Sequence, residues 1–132
     1  MSYITNIIKK TEENTNFRTV LFTGQKSQLV VMNIPIGGEI GEEMHPHVEQ
    51  TLFFRQGNAK VILDGKETEV GVGDVVVVTP QTRHNIVNVG TEPLMIYTVY
   101  APANHIDGRI HETKVDADAD VEDESFGKDA TS

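Results

Sequence analysis

Residues 59–70 read AKVILDGKETEV, two short runs of strand-forming residues meeting at Asp64-Gly65. A two-residue type I′ turn needs positive φ at both central positions, which Asp and Gly tolerate, so this stretch predicts an antiparallel hairpin. The same texture extends outward from Ser27 to Tyr100: β-rich runs broken by Gly, Pro and Asp, with no 3.6-residue period long enough for a substantial helix. The predicted strands are Gln28–Ile34, Met44–His47, Gln50–Arg55, Ala59–Leu63, Glu67–Val70, Val75–Val78, His84–Val89 and Leu94–Tyr100, with an added edge strand around Arg18–Phe22. Short strands at this spacing predict an all-β sandwich or small barrel.

The chain has 132 residues and a 38% apolar share, enough for one core, which predicts a single domain. It contains no cysteine, so disulfides, thiolate zinc sites and thiol nucleophiles are excluded, and any metal must be held by nitrogen and oxygen. The N-terminal MSYITNIIKK has neither a cationic opening nor a long apolar run, which predicts a cytoplasmic chain with no membrane span and no export signal. The net charge of −9 gives nucleic acid and anionic lipid little reason to bind. Residues 115–132 carry seven carboxylates and one Lys, leaving residues 1–114 at only −3. The expected organisation is an N-terminal segment over 1–14, a barrel over 15–105 and an irregular segment with an acidic, disordered tail over 106–132.

Histidines stand at positions 45, 47, 84, 105 and 111. His45 and His47 are two apart on a predicted strand, so both leave the same face and make half of a plausible set of metal ligands. A pair of exposed histidines near a turn is the simpler alternative.

The wider context favours the ligand pair. Residues 37–57, GGEIGEEMHPHVEQTLFFRQG, and residues 73–88, GDVVVVTPQTRHNIVN, resemble the two motifs of the cupin family. Gly73, Asp74, His84 and Asn88 fit the second motif without a gap, although Thr79, Pro80 and Gln81 replace its usual Pro-x-Gly turn. The first motif is one residue short. Its spacing back from Gly57 selects Gln50, whereas strict alternation from His47 selects Glu49. The family's anchor glycine favours Gln50, with Glu49 pointing outward.

The resemblance implies a double-stranded β-helix, or jelly-roll barrel. In it His45, His47, Gln50 and His84 hold one divalent ion, among Fe, Mn, Zn and Ni, with coordination positions left open. It also implies a homodimer and a small-molecule ligand. Three imidazoles and an amide would leave the ion its full double charge.

Phe54, Leu52, Met32, Ile34, Ile86 and Tyr97 are the candidates to line a pocket, though most of them read simply as core, and Tyr97 is the one proton donor nominated, with packing as its simpler role. Asn85, Asn88, Arg83 and Arg55 read as structural or surface groups, with Asn88 tying its strand to a loop. His105 and His111, in irregular sequence, read as surface or loop-packing histidines. The function so implied is a metal-dependent enzyme on a small polar metabolite, a dioxygenase or a Lewis-acid isomerase or lyase. A non-catalytic metal or ligand-binding module and a sugar-phosphate isomerase are the alternatives.

Overall fold

A computed structural model describes the backbone of residues 1–130 and the side chains of residues 1–128. The elements are α1 (Ile7–Glu13), β1 (Arg18–Thr23), β2 (Gln28–Ile34), β3 (Glu49–Gln56), β4 (Ala59–Leu63), β5 (Lys66–Val70), β6 (Val75–Val78), β7 (His84–Asn88), β8 (Leu94–Ala101), β9 (Ile110–His111), α2 (Lys114–Ala119) and α3 (Val121–Ala130). Two antiparallel sheets face each other, one ordered β6-β3-β8-β2-β1-β9 and the other β5-β4-β7. This is the expected all-β jelly-roll.

The period of two places the core. Along β3, Gln50, Leu52 and Phe54 are buried, and along β8 so are Leu94, Ile96, Thr98 and Tyr100. The strands pair with Gln50 opposite Tyr100, Leu52 opposite Thr98 and Phe54 opposite Ile96, so one inward row carries both apolar packing and polar groups. From the second sheet Val61, His84, Ile86 and Asn88 face the same interior. The Asp64-Gly65 turn has φ of 48° and 83°, the type I′ signature, and sets Leu63 opposite Lys66.

Two expectations give way, and the remaining pocket candidates are core, as most of them were expected to be. Met44–His47 forms no strand, because Pro46 sits in a bend between the isolated bridge at Glu43 and the start of β3. Tyr97 lies on the outer face of β8, its ring stacked on Phe53 at 4.9 Å between centroids, so it lines no interior pocket. Met32, Ile34, Leu52, Phe54 and Ile86 are core residues.

Within the described residues the acidic C-terminal segment forms α2 and α3 rather than irregular chain, and residues 131–132 of the expected tail lie outside the described residues. The Asp120 carboxylate accepts from the Asp123 amide at 3.1 Å, capping α3, and also receives Arg109 at 2.8 Å and His111 at 2.9 Å. Asp123 is buried and accepts from the Ile106 amide at 2.6 Å and His105 at 2.7 Å. Specific pairing with barrel groups supplies what the segment's low apolar content does not.

Candidate metal centre

The segment from Gly38 to Glu43 runs beside β7: Asn88 N–H donates to Gly38 O at 2.9 Å, Ile40 N–H to Ile86 O at 2.9 Å, and Glu43 and His84 exchange two bonds of 2.8 Å. Between these contacts Gly41 takes φ of 105°, a value that favours glycine, and its amide is held by Asn85 Oδ1 at 2.9 Å. This irregularity sets Glu43 opposite His84, and directly opposed residues project from one face. His45, two residues on, joins them: its Nε2 lies 3.0 Å from Glu43 Oε2, and its ring centroid is 5.4 Å from that of His84. One ligand atom each from Glu43, His45 and His84 lies within 4.8 Å of the others.

The His84 ring is only 2% exposed. Its Nδ1–H donates to Thr82 O at 2.9 Å, which fixes Nε2 as the lone-pair nitrogen, and that buried atom has no hydrogen-bond partner. Burial pushes the imidazole below its ordinary value, against the opposing pull of the Thr82 carbonyl and Glu43. Burial pushes the Glu43 carboxyl up, but the hydrogen bond from His45 and the positive surroundings of His45, Arg18 and His84 bring it below the usual range. The two shifts favour a carboxylate at Glu43 and a neutral imidazole at His84, the forms in which these groups ligate a cation.

Of the residues expected as ligands, His45 and His84 come together. Gln50 is buried on β3, its amide N–H₂ donating to Thr98 Oγ1 at 3.2 Å while that hydroxyl donates to Thr51 O at 2.8 Å. Glu49 is exposed. His47 is exposed past the bend at Pro46 and stands outside the Glu43–His45–His84 group.

Glu43 was missed. Its only sequence signal was its place two residues before His45, on the same face of any extended chain. Asn88 performs the expected tying role, donating to Ile34 O at 3.1 Å, Pro35 O at 3.2 Å and Glu92 O at 3.0 Å. Arg83 is exposed as expected, and Arg55 pairs with Glu12 of α1 at 3.6 Å.

Glu43 and His45 open onto a cavity of about 240 Å³, whose other walls include Phe17, Arg18, Asn104, His105 and α3. His105 and His111, expected as surface or loop-packing histidines, are both buried. His105 lies against Tyr100, with ring centroids 5.0 Å apart, and burial pushes the Tyr100 hydroxyl up to about 12. His111 joins Arg18 Nη1, 3.4 Å from its Nδ1, to Asp120.

Two facing antiparallel sheets with a nitrogen–oxygen donor cluster between them define a small jelly-roll protein with a candidate metal centre. Residues 30–100 match the family model described as the Cupin domain. The chain is 40% identical to YrkC of Bacillus subtilis strain 168 over 122 residues, which is 87% of this chain but only 65% of that protein's length. It is 33% identical over 113 residues to protein L612 of Acanthamoeba polyphaga mimivirus, covering 82% of this chain and 70% of that one. The crystal structure of BH2720 from Bacillus halodurans matches with a TM-score of 0.88 at 35% identity, over 90% of this chain and 95% of that one. This chain belongs to the cupin family. No helix among the described residues is long and apolar enough to cross a membrane.

Proposed function

We propose that this cupin holds one divalent transition-metal ion between Glu43, His45 and His84, with the Gln50 amide oxygen as a further donor from the opposite sheet, and acts on a small polar metabolite in the adjoining cavity. His84 carries the reading. A buried nitrogen lone pair without a partner is costly, and a carbonyl behind the ring is the usual support of a metal-binding histidine. Two imidazoles and a carboxylate suit Fe, Mn, Zn or Ni, which when bound supply Lewis acidity or, for iron, oxygen activation.

Glu43 takes the place given to His47 in the sequence reading, and it changes the electrostatics. A carboxylate cancels one of the ion's two charges, where three imidazoles and an amide would cancel none. Thr98 orients Gln50 by accepting from its amide nitrogen, which turns the carbonyl oxygen into the available donor end. The cavity is smaller than a drug-sized pocket and suits a small metabolite. Its walls carry Glu43, Asp118, Asp123 and Glu124 against Arg18 and Lys128, a balance that disfavours a phosphate dianion and makes the sugar-phosphate reading the weaker.

Elemental analysis of protein purified without chelator tests this, with about one equivalent of a first-row divalent metal expected per chain. His84→Ala should lose the metal and keep the β-rich circular dichroism spectrum. A chain that takes up none of Fe, Mn, Ni or Zn, or a His84→Ala variant that retains full metal, overturns the proposal. With metal in place, oxygen consumption on a panel of small hydroxylated acids and ketones separates oxygen chemistry from Lewis-acid chemistry. Turnover on no member of the panel would favour the binding module.

A further inference from the structure

Helix α3 walls the cavity with Asp123, Glu124, Gly127 and Lys128, in the same enclosure as Glu43 and His45. Its seat differs from that of a packed helix. Of its described residues only Asp123 and Gly127 are buried, four apart on one face, while Val121 and Phe126, its large apolar side chains, are 70% and 36% exposed. A carboxylate and a glycine thus stand where an amphipathic helix carries its apolar stripe. The contacts that hold α3 are polar: Asp123 accepts from His105 Nδ1 at 2.7 Å and from the Ile106 amide at 2.6 Å, and Glu122 accepts from Arg109 at 2.6 Å. Such hydrogen bonds return little beyond the desolvation of the groups that make them, and exposed ion pairs contribute less. Undocking α3 therefore costs little next to opening the barrel.

The groups that receive α3 are anchored without it. The Asn104 and His105 amides donate to Gln28 Oε1 at 3.2 and 3.0 Å, and Gln28 Nε2 donates to the His105 carbonyl at 2.7 Å, which ties their loop to β2. At the near end of the helix Asp120, the non-helical joint after α2, takes His111 at 2.9 Å and Arg109 at 2.8 Å. Asn104 and His105 both line the cavity and are buried, and Gly127 rides on the first of them: an added Cβ would lie 2.8 Å from the Asn104 carbonyl oxygen.

We infer that α3 is a gate on the cavity, swinging on Asp120 as a unit while the barrel stays folded, so that its undocking admits a small polar metabolite to the wall made by Asn104 and His105. Docked, Asp123 closes on His105 and Gly127 on Asn104. Undocked, the Asp123 carboxylate, the His105 ring, the Ile106 amide and the Glu122 carboxylate exchange their bonds for bonds to water, and almost no apolar surface has to be exposed. The inference rests on reading this cavity as the small-molecule site, and not on which metal is bound.

The chain has no cysteine, so a single introduced thiol is a clean reporter. Asn104→Cys places one on the cavity wall under Gly127, and Val30→Cys places one in the core, where only barrel opening exposes it. Alkylation by iodoacetamide is followed on the full chain, free of metal, in low concentrations of urea. The Asn104→Cys thiol should react at least about a hundredfold faster than the Val30→Cys thiol. Its rate should rise only slightly with urea where the core thiol's rises steeply, because undocking α3 exposes little surface. Adding Asp123→Asn, or the charge-neutral Gly127→Ala, should speed the Asn104→Cys reaction by about tenfold. If Asp123→Asn fails to fold, Gly127→Ala and the urea comparison decide. Equal rates and urea slopes at the two thiols overturn the gate, since α3 then leaves only when the barrel opens. An Asn104→Cys rate that neither substitution moves also overturns it, since entry then bypasses α3. A chain that binds no metal would defeat the proposed function and leave these metal-free readings intact, whereas matching urea slopes in a chain that binds zinc stoichiometrically defeat the gate alone.

Discussion

Glu43 and His84 stand opposite each other in an antiparallel bridge closed by two backbone hydrogen bonds of 2.8 Å, so a carboxylate and an imidazole distant in sequence leave one face together. That relationship supports the proposed donor set over a pair made of His45 and His47. Glu43→Gln should weaken metal binding by about a hundredfold or more, since it removes the one charged ligand of the proposed set. His47→Ala, at an exposed position, should leave affinity within about twofold. Competition against a chromophoric chelator measures both, and the reverse order of effects would contradict the assignment.

Gln50 and Thr98 form the second test. Thr98→Val removes the hydroxyl that holds the Gln50 amide without changing side-chain shape much, and should cost about tenfold in metal affinity. Gln50→Glu should raise affinity by adding a negative charge beside the cation. Calorimetric titration with zinc reads both, and unchanged values in both variants would remove Gln50 from the donor set.

The docking of α3 should fail in acid. His105 titrates below 6.5 in the folded chain because of burial, then the Arg18 charge, so as pH falls through 6.5 the unfolded chain takes up a proton that the folded chain refuses, and stability drops. Asp120 is held down to about 2 by the hydrogen bond from His111, then by the Asp123 amide. Its contribution is present above 3.8 and lost as pH falls toward 2, the same sign. The melting temperature should therefore fall in two stages between neutral and strongly acid pH. His105→Gln should flatten the first stage, to which the depressed His84 also contributes, and an unchanged profile in that variant would contradict the burial of His105 beside Arg18.

Gly127 tests the seat of the same helix. Alanine inside a helix normally gains about 0.8–1.0 kcal/mol over glycine. Here an added Cβ would lie 2.8 Å from the Asn104 carbonyl oxygen, so the clash decides the sign. Gly127→Ala should destabilise by about 1–3 kcal/mol in urea unfolding, and a stabilised variant would place α3 away from Asn104.

Much of this architecture was legible because strand burial writes itself into sequence with a period of two. Gln28–Ile34, Ala59–Leu63 and Val75–Val78 are instead short runs rich in β-branched residues and bounded by turn residues, and they form β2, β4 and β6 over those residues. The Asp64-Gly65 turn is legible for a related reason, since few residue pairs accept its backbone angles. His84 and Asn88 keep the inward register that the resemblance to the second cupin motif implied.

The donor set was only half legible. Alternation through Glu43, His45 and His47 puts all three on one face, and nothing local says that Pro46 bends the chain and releases the last of them. The pairing of Glu43 with His84 depends on Gly41 and Asn85, a contact between segments that periodicity cannot see. The acidic segment misled in the same way. Composition counts its carboxylates alike, whereas Asp120 and Asp123 meet His111, Arg109, His105 and the Ile106 amide, and Glu122 meets Arg109.

The most direct test of the metal centre is an anomalous-difference electron density map from crystals grown without chelator. A peak within coordination distance of a Glu43 oxygen, His45 Nε2 and His84 Nε2 is the predicted result. Density absent there after soaking in manganese and in zinc, or found on His47 with His84 unligated, would contradict it.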